Sequence, residues 1–216
     1  MPGKGSIVVL TLLTAAAWAG FGGLAGTSAR ADIYSDCNQS ENIERSISGC
    51  TTIIERGSRE SVSVRAKAHF DRGNAYGRQG KNDRSIADYT KAIELDPKNA
   101  KAHLNRGTAY ASKGQFDHAM ADYNESIALN SSSSGAYLSR GTAFFLKAKF
   151  DYAIADFDEA IELDPNNALA YNGRGYAYYK KGQRDHAISD ARRALAIVPG
   201  FRPAQRLLMH LNATAE

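Results

Sequence analysis

The chain has 216 residues, of which 43% are apolar and 23% charged, a composition typical of a folded protein and not of a disordered one. Its 27 Lys and Arg residues against 23 Asp and Glu residues give a net charge of +4. Nucleic-acid-binding domains usually show a clustered basic face. Because this small excess is spread over a mixed surface, we do not expect a nucleic-acid partner.

The first 31 residues have the pattern of an export signal. Lys4 provides a positive start, residues 6–26 carry no charge, and Ala29-Arg30-Ala31 is a small-x-small cleavage site. We therefore predict a signal peptide over residues 1–31 and an exported protein, periplasmic or secreted. The alternative is an uncleaved membrane anchor, since the apolar stretch approaches the ~20 residues that a spanning helix needs. Four glycines within the stretch favour cleavage.

Two cysteines, Cys37 and Cys50, follow shortly after the predicted cleavage site. Two nearby cysteines in an exported chain predict a disulfide. Their spacing is not C-x-x-C, and no histidine lies between them, so neither a redox-active dithiol nor a zinc site is expected.

The remainder of the chain repeats with a period of 34 residues, which is the signature of a repeat architecture. Five columns of identical residues recur at this step in four copies. These columns are Arg72, Arg106, Arg140 and Arg174; Gly73, Gly107, Gly141 and Gly175; Ala75, Ala109, Ala143 and Ala177; Asp83, Asp117, Asp151 and Asp185; and Asp88, Asp122, Asp156 and Asp190. The predicted units are residues 66–99, 100–133, 134–167 and 168–201.

Each unit is predicted to hold two helices. Gly80, Gly114 and Gly182 end the first helix in three units, because glycine accepts positive φ. The Asp83 column follows, where a carboxylate can cap free N–H groups and meets the positive end of the helix dipole. Proline after the second helix stops it, and Asn99 and Asn167 are good caps for the next first helix.

This pattern resembles the tetratricopeptide repeat. The residues that carry the resemblance in the first unit are Gly73, Tyr76, Gly80, Tyr89, Ala92 and Pro97, and they recur in later units. The resemblance implies an all-α fold, a right-handed superhelical α-solenoid of helix-turn-helix repeats. Two departures are local: Ser131 replaces the proline, and Ala191 replaces the second-helix aromatic of the last unit, where we expect thinner packing.

Two columns need a physical account. We expect the Gly73 column to lie beside the small residues Ser85, Ala119, Ala153 and Ala187 of the second helix, so that two helices approach closely. For the arginines, one hypothesis pairs Arg72 with Asp88, or with Asp122 of the neighbouring unit, as a device for repeat register. The alternative is an arginine ladder that binds an acidic ligand.

The end segments are predicted to be caps, because a repeat array otherwise exposes apolar surface at its ends. Residues 45–55 mimic residues 84–94, with Cys50 in the place of Tyr89, so residues 32–65 are expected to form a disulfide-pinned half-repeat. Residues 202–216 are expected to form a capping helix and tail.

The chain shows no catalytic or metal-binding constellation. The five histidines are spread over three units and the C-terminal segment, with no three or four of them converging as zinc ligands would. No nucleophile, phosphate-loop or dinucleotide motif is present. We therefore expect neither an enzyme nor a cofactor nor a metal site.

The resemblance implies that the first helices line a concave groove for a protein or peptide ligand. By repeat position, the candidate groove residues are Lys67, Phe70, Asn74, Arg78, Lys101, Asn105, Thr108, Ser139, Thr142, Phe145, Asn172, Tyr176 and Tyr179. The carboxylate-clamp subclass, which grips chaperone tails, pairs two asparagines with basic residues. Asn74 and Asn105 match, but Phe70, Gly135 and Ser139 stand at the basic positions, so chaperone-tail binding is not expected. The predicted role is an exported scaffold or assembly factor, or alternatively a membrane-anchored adaptor. The oligomeric state is left open.

Overall fold

The computed structural model describes residues 32–38 and 41–213, and the predicted signal peptide lies outside them. The described residues fold into α-helices joined by short turns, with one short 3-10 helix and no strands among them. Within this part of the chain, no helix is both long and apolar enough to cross a membrane. The prediction of an all-α fold is confirmed.

The helices follow one another in pairs. Residues 32–37 form α1, and the later helices are α2 Ile43–Glu55, α3 Val62–Arg78, α4 Asn82–Leu95, α5 Ala100–Ser112, α6 Phe116–Leu129, α7 Ser134–Leu146, α8 Phe150–Leu163, α9 Ala168–Lys180, α10 Arg184–Ile197 and α11 Arg202–Ala213. Helix α3 begins at Val62, four residues inside the segment expected to be the cap, because the Ser61 side chain caps it there by accepting a hydrogen bond from Val64 N.

Packing between the helices gives a curved stack. Each first helix (α3, α5, α7, α9) packs on its own second helix (α4, α6, α8, α10), and each second helix packs on the next first helix. Successive first helices also contact one another, while the described second helices make no comparable contact with one another. The first helices therefore lie on the inside of the curve, as in an α-solenoid.

The turns within each repeat follow the sequence prediction in part. Gly80, Gly114 and Gly182 adopt positive φ of 69°, 72° and 74°. The expectation that the Asp83 column caps the second helix is wrong, since α4, α6, α8 and α10 have no side-chain cap. These aspartates lie in the first turn and three of them pair with lysines of the next repeat. The pairs are Asp83–Lys113, Asp117–Lys147 and Asp151–Lys181.

The glycine column makes room for an aromatic ring more than for small side chains. A Cβ on Gly73 would lie 2.8 Å from the ring of Tyr89, and one on Gly107 would lie 2.8 Å from that of Tyr123. Ser85 contributes in a different way, by donating a 2.8 Å hydrogen bond to the Gly73 carbonyl oxygen. The expected contact with small residues is thus secondary, because the aromatic ring of the second helix fills the space that the missing Cβ leaves.

The arginine column forms a three-armed link. Arg106 Nε and Nη2 donate to both carboxylate oxygens of Asp122 in its own repeat, at 2.9 and 2.8 Å, and Nη1 donates to Thr90 Oγ1 on the preceding second helix, at 3.1 Å. The same arrangement recurs with equivalent partners. These are Arg72 with Asp88 and Thr51, Arg140 with Asp156 and Asn124, and Arg174 with Asp190 and Asp158. Arg72 pairs with Asp88 and not with Asp122, so the pairing lies within the repeat and the third arm joins neighbours.

The aspartates of this link are buried, with Asp88 and Asp122 exposed by only 4% and 5%. Burial alone would raise the pKa of Asp88, but hydrogen bonds from Arg72 and from His69 outweigh it, so the pKa lies below its ordinary value. The carboxylate therefore remains ionised at neutral pH, and its contribution to stability is lost only as the pH falls through the acid range.

The N-terminal cap is a modified repeat closed by the predicted disulfide between Cys37 and Cys50. Ser46 Oγ donates to the Cys37 carbonyl at 2.9 Å, as Ser85 Oγ does to that of Gly73. Thr51 accepts from Arg72, as Thr90 does from Arg106. Cys37 therefore occupies the place of the repeat glycine and Cys50 that of the repeat aromatic, and a covalent bond replaces their packing contact.

The C-terminal helix α11 completes the last repeat. Leu207 and Leu211 are buried in one cluster with Ala187, Ala191 and Ala194. A Cβ on Gly175 would lie 3.1 Å from Leu207 Cδ2. The expected thinning of the core at Ala191 is therefore wrong, because Leu207 fills the space left by the missing aromatic side chain.

The third repeat keeps an alanine where the other three have the turn glycine. Ala148 adopts φ of 56°, which is left-handed backbone that disfavours a Cβ. We predict that Ala148→Gly raises the free energy of unfolding by about 1 kcal/mol, since the left-handed conformation costs alanine roughly that much. Gly114→Ala is the mirror control: a Cβ there meets nothing within 4 Å, so it tests the backbone alone. Urea titrations followed by circular dichroism measure both changes. Equal stability of Ala148→Gly and wild type would show that the left-handed backbone at Ala148 is not strained.

The arginine link predicts strong coupling between its two charged partners. In a double-mutant cycle with Arg106→Ala and Asp122→Ala, we expect a coupling free energy of at least about 1.5 kcal/mol, because two hydrogen bonds to a buried charge are lost together. The matched control is Lys113→Ala with Asp83→Ala, an ion pair with an exposed carboxylate, for which coupling close to zero is expected. Equal coupling free energies in the two cycles would contradict the prediction that the buried Arg106–Asp122 pair is the stronger one.

Candidate functional site

All thirteen candidate groove residues lie on the first helices. The structure places Lys67, Phe70, Asn74 and Arg78 on α3, Lys101, Asn105 and Thr108 on α5, Ser139, Thr142 and Phe145 on α7, and Asn172, Tyr176 and Tyr179 on α9. Because the four first helices adjoin along the inside of the curve, these positions share one face of the solenoid.

The end of this face formed by α3 and α5 is polar. Asn74 Oδ1 accepts a hydrogen bond from Tyr89 Oη at 2.7 Å and from Asn105 Nδ2 at 2.8 Å. The two asparagines, 31 residues apart in the chain, are therefore linked across neighbouring repeats. This arrangement fixes the positions of both amides.

Burial raises the pKa of Tyr89, so its hydroxyl remains a hydrogen-bond donor to Asn74 at neutral pH. Tyr89 is a core residue, exposed by only 4%. It ties the position of the Asn74 amide to the packed interior of the repeat.

Lys67 marks the boundary between the groove and the N-terminal cap. Its Nζ donates to Asp71 Oδ2 at 2.5 Å and to Asn38 Oδ1 at 3.1 Å. Since Cys37 stands in the place of Gly73, Asn38 stands in the place of Asn74. An open cavity of about 250 Å³ lies here, with Tyr34, Ile53 and Val64 among its lining residues. The inner face therefore continues from the first full repeat into the disulfide cap.

The end of the face formed by α7 and α9 is more apolar. The ring of Phe145 packs on Phe150 with centroids 5.6 Å apart. Tyr176 Oη donates to the Pro203 carbonyl of α11 at 3.4 Å, and Lys180 Nζ lies 5.8 Å from the ring centre of Tyr179. These aromatic side chains remain half-buried, so part of each ring is accessible on the inner face.

The other candidates differ in what they offer. Thr108 and Thr142 are exposed, but their hydroxyls donate to the carbonyls of Leu104 and Leu138 within their own helices. Asn172 is half-buried, and its Oδ1 is buried without a hydrogen-bond partner. Lys101 and Arg78 are exposed, and Ser139 is half-buried.

Sequence reasoning missed several residues that belong to the same columns. Leu104 and Leu138 lie in the same 34-residue column as the candidates Phe70 and Asn172. Leu169, which is 56% exposed, shares the column of Lys67 and Lys101. Asp71 shares the column of Asn105. The period itself was the signal that could have found them.

The histidines of the first helices serve the arginine link. His69 Nδ1 lies 2.9 Å from Asp88 Oδ1, and His103 Nδ1 lies 3.3 Å from Asp122 Oδ1. Among the residues that the structure describes, no group of three or more His, Cys, Asp or Glu side chains is placed to hold a metal ion.

A helix-pair solenoid with a 34-residue period and this glycine–aromatic core defines the class of the protein, and comparison of its sequence with family profiles agrees. Profiles described as TPR repeat and Tetratricopeptide repeat match residues 73–114, 100–133, 141–182 and 168–201. The chain belongs to the tetratricopeptide repeat family. A search of the curated proteins finds no match to its sequence.

Solved structures with the same fold include the MamA protein, which is 23% identical with a TM-score of 0.68 over 79% of this chain and 91% of its own. YrrB, described as a TPR protein with an unusual peptide-binding site, is 22% identical with a TM-score of 0.63 over 76% of this chain and 82% of its own. The first TPR of Spaghetti (RPAP3), bound to the HSP90 peptide SRMEEVD, is 37% identical with a TM-score of 0.55 over 56% of this chain and 95% of its own.

Proposed function

We propose that the protein binds an extended segment of another protein along the inner face of its first helices. The observation that carries this proposal is the Asn74–Asn105 pair, in which two amides of adjacent repeats are held together by Tyr89 on an otherwise open face. Asparagine side chains offer both donors and acceptors to a peptide backbone. The peptide bound by the Spaghetti domain and the peptide-binding site described for YrrB are consistent with this use of the fold.

The face has two halves of different chemistry, and each half favours a different part of a ligand. The α3–α5 half presents amides and lysines beside Phe70 and Leu104, and its polar groups suit backbone groups and acidic side chains. The α7–α9 half presents Phe145, Leu169, Tyr176 and Tyr179, which suit apolar anchors. A ligand that fits both halves has polar or acidic residues at one end and apolar residues at the other.

The ligand class of the chaperone-tail binders does not transfer to this chain. The peptide in the Spaghetti complex ends in an acidic EEVD sequence. In this chain Phe70, Gly135 and Ser139 stand where the clamp that grips such tails has basic residues. We therefore propose a different peptide for this groove.

Export forms the second part of the proposal. The Cys37–Cys50 disulfide suits an oxidising compartment outside the cytoplasm. Together with the signal pattern of residues 1–31, it supports a scaffold or assembly factor that works in the periplasm or outside the cell. The alternative is an adaptor that keeps residues 1–31 as a membrane anchor and recruits partners to an envelope complex.

The groove is tested by a crosslinked pull-down from envelope extract. Wild type is compared with a triple variant, Asn74→Ala, Asn105→Ala and Tyr176→Ala, and we expect captured partners to be lost because the amide pair and one aromatic anchor are removed. The matched control carries Glu125→Ala, Glu159→Ala and Arg192→Ala, three exposed changes on the second helices. Equal capture by wild type and the groove variant would place recognition on another face. Thermal unfolding of both variants separates lost binding from lost folding.

Export and anchoring are separated by the intact mass of the chain purified from cells that express all 216 residues. Cleavage after Ala31 is expected, which leaves a soluble chain that starts at Asp32 and lacks the mass of residues 1–31. Recovery of the full-length mass in the membrane fraction would overturn cleavage and favour the anchored adaptor.

A further inference from the structure

The turns that join the first helix to the second in each repeat form one edge of the solenoid, which we call the turn edge. It comprises residues 78–84, 112–118, 146–152 and 180–186. The ion pairs Asp83–Lys113, Asp117–Lys147 and Asp151–Lys181 each join one turn to the next, so the four turns are stacked in a row.

The turn edge is strongly basic although the chain as a whole is nearly neutral. Its four segments hold nine Lys and Arg residues and only four Asp residues. The opposite edge, formed by residues 94–101, 128–135, 162–169 and 196–203, holds three basic and four acidic residues. With nine cations against four carboxylates, the four segments carry a net charge of +5, so the turn edge has an excess of positive charge.

Apolar side chains protrude from the third turn of this edge. Leu146 and Tyr152 are 58% and 63% exposed. The equivalents of Leu146 in the other repeats are Arg78, Ser112 and Lys180, and those of Tyr152 are Arg84, His118 and His186. At these two positions the third turn therefore carries a leucine and a tyrosine where the other turns carry basic side chains, histidine or serine.

Ring contacts at the same point show how the exposed tyrosine is supported. In the second and fourth repeats, Tyr110 and Tyr178 lie against His118 and His186. In the third repeat Phe144 instead stacks on Tyr152, with centroids 5.2 Å apart. One flank of Tyr152 is thus buried against Phe144 while most of the ring faces solvent.

We propose that the turn edge docks on an anionic lipid surface, with Leu146 and Tyr152 inserted at the level of the headgroups. Lys149, which lies outside the ion-pair ladder, borders the protruding residues and can bury its stem while its ammonium group reaches the phosphates. Tyrosine is favoured at the membrane–water boundary. A bilayer also accepts isolated protruding side chains without a shaped pocket, which an acidic protein partner would need to supply.

This orientation leaves most of the inner face of the first helices accessible, because Arg78 is the one candidate groove residue that lies within the turn edge. Docking by the edge also needs no spanning helix. It is thus independent of the fate of residues 1–31 and of any peptide bound in the groove.

The test is sedimentation with lipid vesicles. The chain is expressed with its own first 31 residues, so that its natural processing is kept, and is mixed with vesicles of equal parts phosphatidylglycerol and phosphatidylcholine or of phosphatidylcholine alone. We expect binding to the anionic vesicles that falls as salt rises from about 0.05 to 0.5 M, because salt screens surface charge. Binding to phosphatidylcholine alone is expected to be much weaker.

Variants then locate the contact. Leu146→Ser with Tyr152→Ser is expected to lower the partition coefficient about tenfold. Lys149→Gln with Lys180→Gln, two cations outside the ion-pair ladder, is expected to lower it about 25-fold, since each basic residue at an anionic surface contributes about fivefold. Leu163→Ser with Val198→Ser is the matched control, because these residues are exposed by 39% and 44% on the opposite edge.

Absence of binding to the anionic vesicles, or equal binding by wild type and the Leu146→Ser, Tyr152→Ser variant, would overturn the proposal. Loss of binding in the Leu163→Ser, Val198→Ser control alone would also overturn it, since the contact would then lie on the other edge. Intact thermal unfolding of each variant shows that a lost interaction is not a lost fold.

Discussion

The structure depends on the link that one arginine makes in each repeat. The cores of the repeats are small, built mainly from alanines and one aromatic or leucine side chain, so packing alone gives few large interlocking shapes. The guanidinium group instead fixes the relative orientation of neighbouring helices. Two of its nitrogens bind a buried aspartate of the same repeat, and the third nitrogen reaches the preceding second helix. Planar donors in a fixed fork set the position of a neighbour more sharply than an apolar contact does.

A buried carboxylate is costly unless it is fully paired. Here its pairing with the arginine lies within one repeat, and the third arm of the same arginine ties that repeat to the preceding second helix. Because the link sets the angle between neighbours, it also sets the spacing of the first helices. The Asn74–Asn105 contact exists only at that spacing, since the two amides belong to different repeats. The geometry of the candidate groove therefore depends on how neighbouring repeats are aligned, and the arginine links maintain that alignment.

The two ends of the array replace the glycine–aromatic contact of the internal repeats with different chemistry. Each internal repeat packs an aromatic ring against a glycine. At the N-terminus a disulfide takes the place of this contact, which suits a segment with little apolar area of its own. At the C-terminus Leu207 of α11 provides the missing side chain. Each cap thus reproduces the contact found inside the internal repeats, in addition to shielding the end of the array from solvent.

The sequence by itself determined the class of fold, the 34-residue period, the turns and the disulfide, because these depend on residue type at fixed spacing. The columns also indicated which residues share a face, although Leu104, Leu138 and Leu169 were overlooked on that face. The partners across helices needed the tertiary structure. Arg72 had two aspartates at repeat-compatible positions, the glycines were expected beside small side chains and not beside an aromatic ring, and Ala191 had no visible replacement. A period determines which residues are equivalent, but the angle and distance between packed helices decide which of them touch, and those are set by side chains far apart in the chain.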